Sequence, residues 1–117
     1  MSKITVYGIH NCDTIKKTLN WLTKNNIGFV FYDYKKQGIT KDKLSAWCKV
    51  VGWEVLLNKK STTWRELNPL VQGKTTNQAA AIKLMMENTR IIKRPVIEKG
   101  NQLLVGYNEE LYLKIIL

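Results

Sequence analysis

A chain of 117 residues, 44% hydrophobic and 24% charged, is the size of one compact domain and can bury a core without disulfide or metal staples. No apolar run reaches the 18 or so residues of a membrane span, and two cysteines with one histidine fall short of a structural metal site, so neither a membrane protein nor a metalloprotein is expected. The net charge of +10 favours anionic partners, but the basic residues are spread in ones and twos from Lys3 to Lys114, and no nucleic-acid role is expected.

Ser2 to Tyr7 alternates like a strand where a signal peptide would need an unbroken apolar stretch, so a cytoplasmic protein is expected. Gly8 to Asn11 reads as a loop, after which Ile15, Leu19 and Leu22 recur at helical spacing until Asn25-Asn26 stops the helix. Phe29 to Tyr32 supplies an aromatic, β-branched strand and completes a βαβ unit, which implies parallel pairing. Lys35 to Gly38 reads as a polar turn and Thr40 as a helix cap. Leu44, Trp47, Cys48 and Val51 then form an apolar stripe that ends at Gly52.

From Trp53 to Gly73 the pattern predicts short helical turns, one through Val55-Leu56-Leu57 and one with a Thr-x-x-Glu cap before Glu66, with Pro69 closing the piece. A capping box at Thr75 to Gln78 starts a helix whose buried face is Ala79, Ile82, Met85 and Met86 and which ends near Asn88. Ile91-Ile92, Pro95 to Glu98 and Gln102 to Val105 read as two strands joined by a tight turn at Lys99-Gly100-Asn101. Asn108 caps a last helix with Leu111, Tyr112, Ile115 and Ile116 on one face. A βαβ start and a ββα end close as one four-stranded mixed sheet with helices, an α/β thioredoxin-like fold, with residues 1–38 and 90–117 as its core and 39–89 as a helical insertion within a single domain.

Cys12 stands between the first strand and the first helix, where helix amides and the positive end of the helix dipole favour thiolate over thiol. Lys16 one turn on would add to that effect and Asp13 would oppose it; the plainer reading of Cys12 is a small residue filling a strand–helix junction. Cys48, on an apolar stripe, reads as core. His10 is either a base for Cys12 or a loop residue without a catalytic task. Pro95 is either a strand-edge proline or a cis-proline that turns the backbone towards the Cys12 loop and brings Arg94 near the sulfur.

Tyr7-Gly8-Ile9-His10-Asn11-Cys12-Asp13-Thr14-Ile15-Lys16-Lys17, Leu57-Asn58-Lys59-Lys60-Ser61-Thr62-Thr63-Trp64-Arg65 and Ile92-Lys93-Arg94-Pro95 together resemble the arsenate reductase-like (ArsC-like) family, most of all its YffB-type branch, which is related to the Spx regulators. The resemblance runs over essentially the whole chain. It implies a thioredoxin-like fold with a helical insertion, a reactive Cys12, a cis-proline at Pro95, and substrate contacts from Asn11, Asp13, Thr14, Lys16, Lys60, Arg94 and Pro95. Arsenate reductases of this type carry Cys-x-x-Ser and three arginines. Here Ile15 stands at the third position after Cys12, and Asn58-Lys59-Lys60 and Val105-Gly106 stand where two of the arginines are expected. Spx regulators carry Cys-x-x-Cys at this loop, and Ile15 removes that second cysteine as well.

A single-thiol site of this kind implies a glutathione-dependent thiol–disulfide reductase, with glutathione or another small thiol or disulfide as partner and no metal. The alternatives are a non-enzymatic Spx-like regulator that binds an acidic protein, of the RNA polymerase α subunit type, or genuine arsenate reduction. A monomer is expected.

Overall fold

The computed structural model describes residues 3–117; Ser2, where the predicted alternation begins, lies outside the described residues. In chain order the elements are β1 (Ile4–Gly8), α1 (Asp13–Lys24), β2 (Val30–Asp33), α2 (Tyr34–Gln37), α3 (Lys41–Val51), α4 (Trp53–Leu56), α5 (Thr62–Arg65), α6 (Pro69–Lys74), α7 (Gln78–Glu87), a 3-10 turn (Thr89–Ile91), β3 (Val96–Lys99), β4 (Gln102–Val105) and α8 (Glu109–Ile115). The chain divides into two compact units, one formed by the chain up to Asp33 with Arg94–Leu117, the other by Tyr34–Lys93.

The first unit is built on a mixed sheet of strand order β2-β1-β3-β4. The α1 crossover makes β1 and β2 parallel, with Gly8 opposite Asp33, whereas β3 is antiparallel to both β1 and β4. This is the thioredoxin-like α/β arrangement, with the helices of Tyr34–Lys93 inserted in sequence between β2 and β3. Strand β2 begins at Val30, one residue later than the aromatic run predicts, because it pairs from Thr5 to Gly8 with Val30 to Asp33. Pairing, not hydropathy, sets its ends.

Alternation along β1 turns Ile4 and Val6 to one face, and register lines Val6 up with Ile97 and Ile97 with Leu104. Leu22 of α1, Tyr112 of α8 and Ile116 just after α8 close over that row. Burying each large apolar side chain contributes about 1.5–3 kcal/mol. The Tyr112 hydroxyl, enclosed in the same cluster, donates to the Gly106 carbonyl at 2.6 Å, so its polar end is satisfied. Asn108 caps α8 by accepting from the Leu111 N–H, and Lys99 Nζ donates to the Ile115 carbonyl at the other end.

In the second unit Thr40 caps α3 by accepting the Lys43 N–H at 3.1 Å, and Leu44, Trp47 and Cys48 are buried. Four expectations are corrected here. Lys35 to Gln37 are not a polar turn but belong to the single helical turn α2, which begins at a fully buried Tyr34 and is followed by Gly38. The α5 cap is Ser61, which accepts from the Trp64 N–H, not a Thr-x-x-Glu box. Pro69 opens α6 instead of closing a piece: as the first helical residue it gives up an N–H that has no helical partner anyway, and Asn68 caps it.

The fourth correction is to α7. Its cap is Asn77, accepting from the Ala80 N–H, while Thr75 hydrogen-bonds back to the Val71 carbonyl. The buried face is therefore Ala81, Ile82, Leu84 and Met85, and Ala79 and Met86 are exposed. Ile92 forms an isolated bridge with Leu57 just after the 3-10 turn.

Candidate active site at the start of the first helix

Four residues connect β1 to α1, and each is constrained differently. Ile9 is buried. His10 exposes its ring, while its main-chain N–H donates to Asp33 Oδ2 at 3.1 Å. Asn11 takes a left-handed φ of 64°, a region that asparagine tolerates better than most residues. Cys12 is the N-cap of α1: its backbone is extended, its carbonyl accepts the Lys16 N–H at 2.9 Å, and its side chain is half-buried and caps no amide.

The close fit of α1 on the sheet depends on Gly8. A Cβ there would collide with Ile15 Cδ1 and stand 2.8 Å from Ile15 Cγ1, so only a residue without a side chain lets the first turn sit so near the strand. Ile15, the third residue after Cys12, is thereby committed to the core.

The antiparallel register ends with Tyr7 opposite Val96. The chain entering β3 therefore runs beside the chain leaving β1, which brings Arg94 and Pro95 alongside the loop that leads to Cys12. The Arg94–Pro95 peptide is cis, Pro95 is buried, and its carbonyl accepts the Gly106 N–H at 2.8 Å. Arg94 is half-buried.

Asn11, Cys12, Asp13, Thr14, Lys16, Arg94 and Pro95 thus belong to one unit and gather at one end of its sheet. Asp13 and Lys16 are exposed in the first turns of α1, and Thr14 is half-buried with its carbonyl taking the Thr18 hydroxyl at 2.8 Å. Lys60 belongs to the other unit, exposed in the turn before α5, its N–H bonded to Asn58 Oδ1. Its neighbour Lys59 lies 5.5 Å from the Trp64 ring centroid.

Cys48 is buried in α3, and burial first, then the carboxylate of Glu54, pushes its thiol up from the ordinary range. Among the described residues no group of three or more His, Cys, Asp or Glu stands close enough to hold a metal ion, and no helix is long and apolar enough to cross a membrane. Asp33 is the residue that sequence reading passes over. A single acid at the end of an aromatic strand carries no local signal of its bond to a loop 23 residues earlier.

The model of the ArsC family matches residues 7–115. The chain belongs to the ArsC family. It is 43% identical over 109 residues to an uncharacterised Haemophilus influenzae protein, a match covering 93% of this chain and 95% of that one. It is 25% identical over 115 residues to the regulatory protein MgsR of Bacillus subtilis, covering 97% and 90%. Among solved structures it superposes on a YffB protein with a TM-score of 0.94 at 37% identity, over 98% of this chain and all of that one. The match in family and in superposition fits the thioredoxin-like sheet described above.

Proposed function

We propose that this ArsC-family protein is a glutathione-dependent thiol–disulfide reductase in which Cys12 is the nucleophile. The observation that carries the reading is a half-exposed cysteine at the N-cap position of a twelve-residue helix. The first amides of a helix have no intrahelical partner and point towards its N-terminal end, so a thiolate there meets both N–H groups and the positive dipole end. Thiolate is the form that attacks a disulfide.

The Cys12 thiolate attacks the glutathione sulfur of a glutathione-bearing disulfide, forming a Cys12–glutathione mixed disulfide and expelling the other sulfur as a thiolate, which takes a proton from water. A second glutathione thiolate attacks the glutathione sulfur of that mixed disulfide, giving glutathione disulfide and restoring the Cys12 thiolate. No second protein cysteine is needed, in keeping with Ile15 at the third position. Arg94 and Lys16 attract the glutathione carboxylates, and the main chain next to Pro95 aligns the peptide part of the substrate.

The test follows NADPH consumption with glutathione, glutathione reductase and a small disulfide. Turnover that disappears in Cys12→Ser and persists in Cys48→Ser supports the reading, and full turnover in Cys12→Ser ends it. The similarity to MgsR favours a second reading, a regulator that docks an acidic protein through the basic surface. Stoichiometric capture of one protein partner, unaffected by Cys12→Ser, would support that reading instead. Arsenate should not be consumed in a complete coupled system, because lysine is a point charge where the oxyanion needs an arginine fork.

A further inference from the structure

Asp33 is a buried acid to which the reaction above gives no part: it is 7% exposed, at the end of β2 and opposite Gly8. A carboxylate is costly to bury unless it is hydrogen-bonded, and one bond it makes is with the main-chain N–H of His10, two residues before Cys12. The loop therefore has a tether from the neighbouring strand. Ile9 holds it by packing and Asn11 turns it through left-handed backbone, but neither fixes the plane of the His10 peptide. The Asp33 bond restrains that peptide, two residues before Cys12.

We infer that Asp33 is a positioning residue, whose carboxylate oxygen, through the His10 amide, holds the loop so that Cys12 is presented at the N-terminus of α1. The inference rests on Cys12 being the reactive thiol of the proposed function. Asp33 acts as a hydrogen-bond acceptor, so an asparagine, which keeps an acceptor oxygen and loses the charge, does the same work.

The experiment measures modification of Cys12 by glutathione disulfide and, separately, by iodoacetamide, in the wild type, Asp33→Asn and Asp33→Ala, with a thermal melt of each. Asp33→Ala should slow both reactions about tenfold, as losing a bond to a buried group implies, while Asp33→Asn stays within about twofold and both melts stay cooperative. Amide hydrogen exchange in the wild type should also show His10 protected. Wild-type rates in Asp33→Ala, a fall in Asp33→Asn as large as in Asp33→Ala, or a His10 amide exchanging like open chain would each overturn the inference. Should Asp33→Ala not fold, the Asp33→Asn rate and the His10 exchange decide. A wild-type Cys12 that is alkylated but never takes glutathione would sink the proposed function alone, and the alkylation rates would still judge Asp33.

Discussion

The two cysteines sit near opposite ends of their helices. Cys12 stands at the N-cap position of α1, half-exposed, at the end where helix amides without an intrahelical partner and the positive dipole end lie. Cys48 lies in the closing part of α3, buried with Leu44 and Trp47, and its carbonyl accepts the N–H of the helix-ending Gly52 at 2.9 Å. Burial first, and then the carboxylate of Glu54, disfavours the thiolate there, so the neutral thiol is favoured. Helix position and burial, not residue type, set the two cysteines apart, and the proposed function gives the nucleophile's part to the half-exposed one.

The sharpest break of this contrast is Cys12→Ser, which should remove turnover entirely while leaving the melt unchanged, read by the coupled assay and by circular dichroism. Gly8→Ala comes next. The added methyl meets Ile15, so α1 must shift off the strand at a cost of about 1–3 kcal/mol, and Cys12 should react more slowly although its sulfur is untouched. Pairing it with Ile15→Ala should recover part of the stability loss, a coupling that a double-mutant cycle measures.

Thr40→Ala removes the cap of the other helix and should cost about 1 kcal/mol in denaturant unfolding, with no change in Cys12 reactivity. Cys48→Ser is smallest, with turnover unchanged. Because the folded Cys48 holds its proton to higher pH than the unfolded chain does, its contribution to stability is present below about pH 8.5 and is lost as pH rises through the raised value. Melts at pH 8 and pH 10 should therefore fall further in the wild type than in Cys48→Ser.

What could be read in the sequence was whatever local chemistry decides. The alternation of Ile4 and Val6, the period of Ile15 and Leu22, and the caps Thr40 and Asn108 each act within a few residues and stand where the pattern places them. The helical turn at Tyr34–Gln37 was illegible because its polar residues show no period and its anchor, Tyr34, is defined by burial. The face of α7 slipped because Thr75 and Asn77 are equally plausible caps, and only the bond from Thr75 to Val71 assigns the role to Asn77. At the candidate site, the placement of Cys12 at the start of α1 and the cis peptide at Pro95 agree with the sequence reading. The tether from Asp33 was not legible, since a side-chain bond to a distant amide leaves no periodic trace.

The most direct measurement incubates the native protein with glutathione disulfide at neutral pH, blocks free thiols and maps the adduct by mass spectrometry. Glutathione should appear on the Cys12 peptide and be released by excess glutathione, with Cys48 unmodified until the protein is unfolded. An unmodified Cys12, or a Cys48 that takes glutathione as readily in the folded protein, would contradict the proposed role of Cys12.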